Sequence, residues 1–199
     1  MSESLSHLWF VTGFLLFIGI RMYYFRRASR EGGKMDVRDS RMSILLRLIL
    51  GIPLAAVMVG YMIRPNILAF GVIAAPEWVA PLGAGLTAVS FPLLIWVQHS
   101  LGANFNTILG IREHNSLVTH GPYRWVRHPM YTVLFLYMLG ILLLTRNLIV
   151  GGFLLGAFLI TIGSRLTKEE AILEEEYGEA YRTYKARTGR FLPRLAART

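Results

Sequence analysis

No cysteine occurs among the 199 residues, which excludes disulfides, thiolate metal sites and a cysteine nucleophile. Charge is scarce as well, since Asp, Glu, Lys and Arg make up only 17% of the chain, against about 25% in ordinary soluble domains. Acidic residues are the scarcer sign, 12 against 21 Lys and Arg, giving a formal net charge of +9. Such an excess can serve nucleic acid, but here the basic residues gather in alternate connections between apolar runs, which is the pattern that membrane topology produces. Nucleic acid is therefore not an expected partner. What the chain has in quantity is apolar side chains, 54% of the total, with a mean hydropathy of +0.46. Those values indicate an integral membrane protein.

The first apolar run, residues 7–24, has enough length to cross a hydrocarbon core of roughly 30 Å. No Lys or Arg precedes it and it ends in Tyr and Arg rather than small residues, so it reads as a membrane helix and not as a cleaved signal. Arg21, Arg26, Arg27, Arg30, Lys34, Arg38 and Arg41 follow, the strongest cytoplasmic signal in the chain. A second span, residues 43–63, carries Arg47 in its first turn, where it can snorkel back, and Pro53, expected to kink it. The connection 64–77 holds one basic residue, Arg64, and is expected outside. The third span, residues 78–98, has Ala80, Gly83, Ala84, Gly85 and Ala88 along it, a stripe that lets another helix approach closely. Gly83-Ala84-Gly85 is not a nucleotide loop, because no strand precedes it. Two shorter runs, 130–144 and 148–163, flank Thr145-Arg146-Asn147 and predict a tight antiparallel hairpin, with Gly152 and Gly156 as a small-residue contact on its second helix. The fold class expected is an all-α integral membrane protein of about five transmembrane helices with a cytoplasmic helical C-terminal tail.

One stretch resists a purely membrane-helix reading. Residues 121–131 read Gly-Pro-Tyr-Arg-Trp-Val-Arg-His-Pro-Met-Tyr, a polar, aromatic and cationic patch directly before an apolar run. Pro122 and Pro129 restrict Gly121 and His128 to extended conformations and remove two backbone donors, which predicts a structured loop ending at a helix start, with Pro129 in the first turn. The first helical amides and the side chains of His128 and Tyr131 would then face whatever anion or polar group occupies the loop. The competing reading is an interfacial belt, with Tyr123, Trp125 and Tyr131 at headgroup level and Arg124 and Arg127 snorkelling. Beyond the hairpin, helix formers continue as far as Tyr177, Gly178 interrupts, and residues 179–187 predict a short helix burying Tyr181 and Tyr184, after which Phe191, Leu192 and Pro193 close on the body. Arg165 and Glu169 share one helix face; alone they are consistent with a surface ion pair worth about 0.3 to 0.5 kcal/mol. Residues 174–176, three glutamates, read as a solvated face.

Taken together, Tyr123 with Arg127-His128-Pro129-Met130-Tyr131, an apolar hairpin, and then Arg165, Glu169-Glu170, Tyr177-Gly178, Tyr181, Tyr184 and Thr188-Gly189-Arg190 resemble the isoprenylcysteine carboxyl methyltransferase family of integral membrane enzymes, over residues 101–193. The resemblance implies S-adenosylmethionine as methyl donor, held without a Rossmann fold in a pocket that the tail closes. It puts cofactor contacts on Leu117, Val118, Tyr123, His128, Pro129, Met130, Tyr131 and Glu169, and a catalytic, substrate-binding arginine on Arg165. Members of the family carry a histidine directly before the Leu-Val pair or two places ahead of it. Here Asn115-Ser116 precede Leu117 and His114 sits one place earlier, so His114 and Asn115 are alternatives for that contact, with Ser116 beside them among the cofactor-binding residues. Helix-start amides and His128 suit the donor's carboxylate, Glu169 its amine or ribose, and Tyr123, Trp125 or Tyr131 a ring or the cation. Methyl transfer needs alignment and exclusion of water more than a strong base. Residues 1–100 then form three membrane helices and 101–199 the catalytic region.

The function expected is methyl transfer to a lipophilic or lipidated acceptor embedded among membrane lipids, a carboxylate such as a prenylcysteine being favoured, with no metal. Alternatives are N-methylation of a phospholipid amine, a sterol-type membrane reductase using NADPH, and a non-catalytic lipid-binding scaffold. Topology is testable directly: a reporter at residue 35 or at the C-terminus is expected to read cytoplasmic, and one at residue 70 or at the N-terminus external. Two chain ends on the same side would contradict five spans.

Overall fold

The computed structural model of the chain describes residues 1–106, 109–113 and 115–194, Arg112 by its backbone alone. Lipid offers no partner to backbone N–H and C=O groups, so apolar runs of this length fold as helices. Among the described residues five α-helices form: α1 (Glu3–Glu31), α2 (Arg41–Ile63), α3 (Val79–Leu101), α4 (Pro129–Thr145) and α5 (Phe153–Arg187). Four of them are long and apolar enough to cross a membrane, and α4, at 17 residues, is a shorter apolar helix. Ser2 and Ser40 cap α1 and α2, each side chain accepting from an amide three residues on. α1 runs beyond the expected residue 24 because good helix formers and an Arg27–Glu31 pair at 2.9 Å continue it until Gly32. α5 is broken where expected, at Gly178, whose φ of +51° and ψ of −123° lie outside helical values.

The helices alternate in direction, which gathers the connections at two ends. At one, Ile73 N donates to the Arg146 carbonyl at 2.8 Å and Asn147 Nδ2 to the Leu68 carbonyl at 2.7 Å. Arg146 takes a left-handed conformation to turn the hairpin, and the Asn147 side chain caps the amides of Ile149 and Val150. At the other end lie residues 32–40, the stretch between α3 and α4, and the tail. There the all-helical expectation needs a correction: β1 (Met35–Val37) and β2 (Gly110–Arg112) pair antiparallel, Met35 opposite Arg112 and Val37 opposite Gly110. Strands of three residues are too short to leave a readable alternation.

Residues 174–176 are not simply a solvated face. Arg38 reaches Glu176 at 3.2 Å and Glu175 at 3.7 Å, and Lys185 reaches Glu174 at 3.3 Å, so the glutamates tie the β1 connection and the last helical turns to α5. Arg47 turns back as expected and pairs with the buried carboxylate of Asp39. Leu192 departs from expectation, being 72% exposed instead of closing on the body.

α3 and α4 form the closest helix pair. A Cβ on Gly83 would stand 2.3 Å from the Leu144 amide nitrogen and 2.6 Å from the Gly140 carbonyl, and one on Gly140 would stand 2.8 Å from Thr87 Cγ2. Between apolar helices in lipid such backbone approach replaces the hydrophobic driving force. The expected stripe is thus used through Gly83, while Gly85 meets open space. The expected Gly152 and Gly156 contact is not made: Gly156 also meets open space, and it is Gly151 that backs on Leu142, its built Cβ 2.2 Å from the Leu142 Cα. Gly83→Val is therefore expected to lower the melting temperature in detergent, at a cost of about 1 to 3 kcal/mol, while Gly156→Val changes it little. Equal melting temperatures for the two variants would contradict this packing.

Candidate active site

The loop before α4 owes its shape to two punctuating residues and to the tail. Neither residue before a proline is extended as expected: His128 has φ −123° and ψ 56°, and Gly121 adopts φ +58° with its α-carbon against Ser100, where a Cβ would lie 2.4 Å from Oγ. Pro122 then starts a short 3-10 turn, Gly121–Arg124, and Pro129 opens α4. From the other side the tail lies along the loop: Arg127 N donates to the Gly189 carbonyl at 2.8 Å, His128 N to the Arg190 carbonyl at 3.0 Å, and Gly189 N to the Trp125 carbonyl at 3.1 Å. Tyr184, buried as expected together with Tyr181, donates its hydroxyl to the Tyr123 carbonyl at 2.7 Å.

Glu170 holds this arrangement together. Its side chain is 5% exposed, yet it meets Arg190 through two bonds of 2.7 and 3.1 Å, Arg127 Nε at 3.3 Å and His128 Nε2 at 3.3 Å. Arg127 also donates to the carbonyls of Lys185 and Thr188. Arg127 is thus a buried clamp and not the snorkelling residue of a headgroup belt. Burial opposes the charge of Glu170, but the bonds and charge of Arg190, followed by Arg127 and His128, outweigh it and bring the carboxyl down to about 2. Burial lowers the His128 imidazole against the pull of Glu169 and Glu170. A neutral ring beside an ionised Glu170 donates through Nε2, which leaves Nδ1 a lone pair, 3.8 Å from Glu169 Oε1.

Above this cluster opens a cavity of about 280 Å³, towards the lower end of small-molecule sites. The expected site residues converge on it: Asn115, Ser116, Leu117 and Val118 from one side, Tyr123, His128, Met130 and Tyr131 from the loop and α4, Arg165 and Glu169 from α5. Pro129 is buried but does not line it, since its place is the helix start. His114 lies outside the described residues. Trp125 is 43% exposed, with Arg124 over its ring, and stays out of the cavity. The amides of Tyr131 and Thr132 donate to the His128 carbonyl, so those two helix-start donors are not turned to a ligand. Arg165 Nε and Glu169 Oε2 are 3.9 Å apart, and the Tyr131 hydroxyl donates to the same carboxylate. Leu134, Phe158 and Ile162 make an apolar wall where α4 meets α5.

Three residues that sequence reasoning left out complete the site. Glu170 and Tyr181 carried a readable signal, for residues 170, 174, 177, 181 and 184 repeat at helical spacing. Arg21 did not, because a basic residue at the end of a first membrane run reads as a topology signal. Among the described residues, two buried polar atoms at the cavity, the Tyr181 hydroxyl and Asn115 Oδ1, find no hydrogen-bond partner.

Residues 84–175 match the sequence model of the isoprenylcysteine carboxyl methyltransferase family. The match runs from α3 into α5 and covers a little under half of the chain. The chain is 32% identical over 123 residues to the cobalt-zinc-cadmium resistance protein CzcN of Cupriavidus metallidurans, covering 60% of this chain and 53% of that protein. It is 31% identical over 119 residues to the protein-S-isoprenylcysteine O-methyltransferase of Xenopus laevis, covering 58% and 41%, and 27% identical over 120 residues to that of Tribolium castaneum, covering 59% and 42%. It thus spans about half the length of the curated relatives it matches. The fold is similar to the eukaryotic intramembrane Ras methyltransferase, isoprenylcysteine carboxyl methyltransferase, with a TM-score of 0.52 at 22% identity over 77% of this chain and 53% of that one.

The Glu170 cluster predicts an acid limb of stability. A carboxyl held near 2 in the folded chain and near 4.3 in the unfolded one contributes fully above the unfolded value, and the contribution is lost as pH falls through the folded one. Glu170→Gln is expected to flatten the loss of melting temperature between about pH 5 and 2. Glu170→Ala, which leaves Arg127 buried without its partner, is expected to cost about 3 to 5 kcal/mol at neutral pH. A wild-type acid limb retained in Glu170→Gln would contradict the assignment.

Proposed function

We propose that the protein is an S-adenosylmethionine-dependent membrane methyltransferase that esterifies the carboxylate of a lipophilic or lipidated acceptor. The observation that carries this reading is the convergence, inside the family's domain, of Arg165, Glu169, Tyr131 and His128 on one cavity whose far wall is apolar. Two relatives bear metal-resistance names; among the described residues no three His, Cys, Asp or Glu side chains converge as a metal site.

The cavity residues fit the donor. Glu169 offers a carboxylate to its ammonium or ribose, and the partnerless Tyr181 hydroxyl and Asn115 Oδ1 are buried polar atoms of the kind a bound polar ligand satisfies. His128 is better suited to a hydrogen-bond donor than to the donor's carboxylate, because Nε2 is committed to Glu170 and Nδ1 is an acceptor. Bound there, S-adenosylmethionine supplies an electrophilic methyl group on a sulfonium.

Arg165 does the orienting. Its planar guanidinium matches a carboxylate in two-point geometry, and at 13% exposure it acts where water screens little. A neutral amine acceptor would gain nothing from that charge, which favours a carboxylate over a phospholipid amine. Leu134, Phe158 and Ile162 suit a lipid-like chain and exclude water from the reacting oxygen. We place this end of the protein, with the tail, on the cytoplasmic side, in keeping with the basic residues at the end of the first apolar run and after it.

Arg165→Ala is expected to abolish methyl transfer with cofactor affinity nearly normal, and Arg165→Lys to recover only part of the rate. Glu169→Ala is expected to weaken S-adenosylmethionine binding more than tenfold, the loss of one charged contact worth about 1.5 to 3 kcal/mol. Calorimetry and transfer assays on the same variants check both, and a fully active Arg165→Ala protein would end the carboxylate reading.

A further inference from the structure

Three arginines line the cavity; Arg127, already bound to Glu170, and Arg165 belong to the stretch that matches the family, and Arg21 does not. Arg21 comes from α1, near the other end of the chain. Its guanidinium carbon lies 4.9 Å from the centroid of the Phe105 ring, and its Nη1 is 3.6 Å from the Met130 sulfur. Neither contact carries a full negative charge, and among the described residues Arg21 has no carboxylate partner. Arg165, by contrast, is faced by Glu169 at 3.9 Å.

An arginine at the end of a membrane helix ordinarily extends its head to water or headgroups. Arg21 instead lines a cavity whose walls are largely apolar, where an unopposed charge is costly. The methyl donor is a net cation, so its binding adds positive charge to a cavity that already holds Arg21 and Arg165. A carboxylate on the acceptor supplies charge of the opposite sign.

We propose that Arg21 is a second anion-binding residue of the acceptor site, gripping the acceptor's carboxylate from the α1 side while Arg165 holds it from α5. This rests on the methyltransferase reading above. The acceptor's carboxylate oxygen gives an electron pair to the methyl carbon, the carbon–sulfur bond breaks with its pair left on sulfur, and a neutral ester and a neutral thioether result. The anion that Arg21 and Arg165 held is gone. The same two residues that select the acid therefore cease to hold the ester, which favours product release.

The test uses N-acetyl-S-farnesylcysteine and its carboxamide, which share the lipophilic chain and differ in charge, with binding measured in detergent beside S-adenosylmethionine affinity and methyl transfer. The wild-type protein is expected to bind the acid at least tenfold more tightly than the amide. Arg21→Gln is expected to weaken the acid about tenfold and the amide less than twofold, to raise KM for the acid more than it lowers kcat, and to leave S-adenosylmethionine affinity within twofold. Arg21→Lys should retain most of the discrimination.

A wild-type protein that does not distinguish acid from amide overturns the proposal, as does an Arg21→Gln variant that keeps the discrimination or loses both ligands equally. Loss of S-adenosylmethionine binding in both variants makes Arg21 a residue of the donor's site or of the fold and overturns it too. A wild-type protein that prefers the acid through Arg21 yet transfers no methyl group supports the anion site and removes the methyltransferase reading instead.

Discussion

A buried carboxylate keeps its charge only if cations reach it, and Glu170 is reached from two parts of the chain at once. Arg127 and His128 come from the loop before α4, Arg190 from the tail. Neither group is satisfied without the other. The loop and tail are consequently one unit, and the main-chain bonds between Trp125 and Gly189, Arg127 and Gly189, and His128 and Arg190 follow from that union. Glu169, the preceding residue, lines the cavity, so one of two adjacent carboxylates joins loop to tail while the other faces the cavity.

The rest of the molecule meets a different constraint. Apolar helices in lipid gain little from mutual burial, so α3 and α4 come together through Gly83 and Gly140, backbone against backbone. That contact sets the direction in which α4 leaves the loop and hence where Tyr131 points. The N-terminal part also contributes to the polar end, by way of Arg21 on α1 and of β1, which holds β2 and the adjoining cavity wall.

Most of the helical frame was legible because hydrophobic length is a coarse quantity: spans, turns and the break at Gly178 survive errors of a few residues. The ten expected cavity residues from Asn115 to Glu169 were legible for another reason, that Arg127-His128-Pro129 followed by Arg165 and Glu169 is a specific pattern. Sequence spacing could not tell which of Glu169 and Glu170 would be buried, since both lie on the same turn and only the packing of Arg190 separates them. It also could not bring Arg21 across to the cavity, or pair β1 with β2, because such contacts join segments far apart in sequence and leave no local periodicity. The expected contact at Gly156 failed because small residues permit close approach without supplying a neighbour.

The bond from Tyr184 to the Tyr123 carbonyl spans 61 residues of chain, and α4 and the apolar part of α5 lie between its ends. During synthesis the loop is therefore made well before the segment that clamps it, and α4 and α5 must enter the bilayer in the interval. Until then the loop's arginines and histidine have only water and headgroups for company. The order of synthesis thus puts the membrane-crossing helices ahead of the cavity, whose end closes only when the last helical turns fold back over the loop.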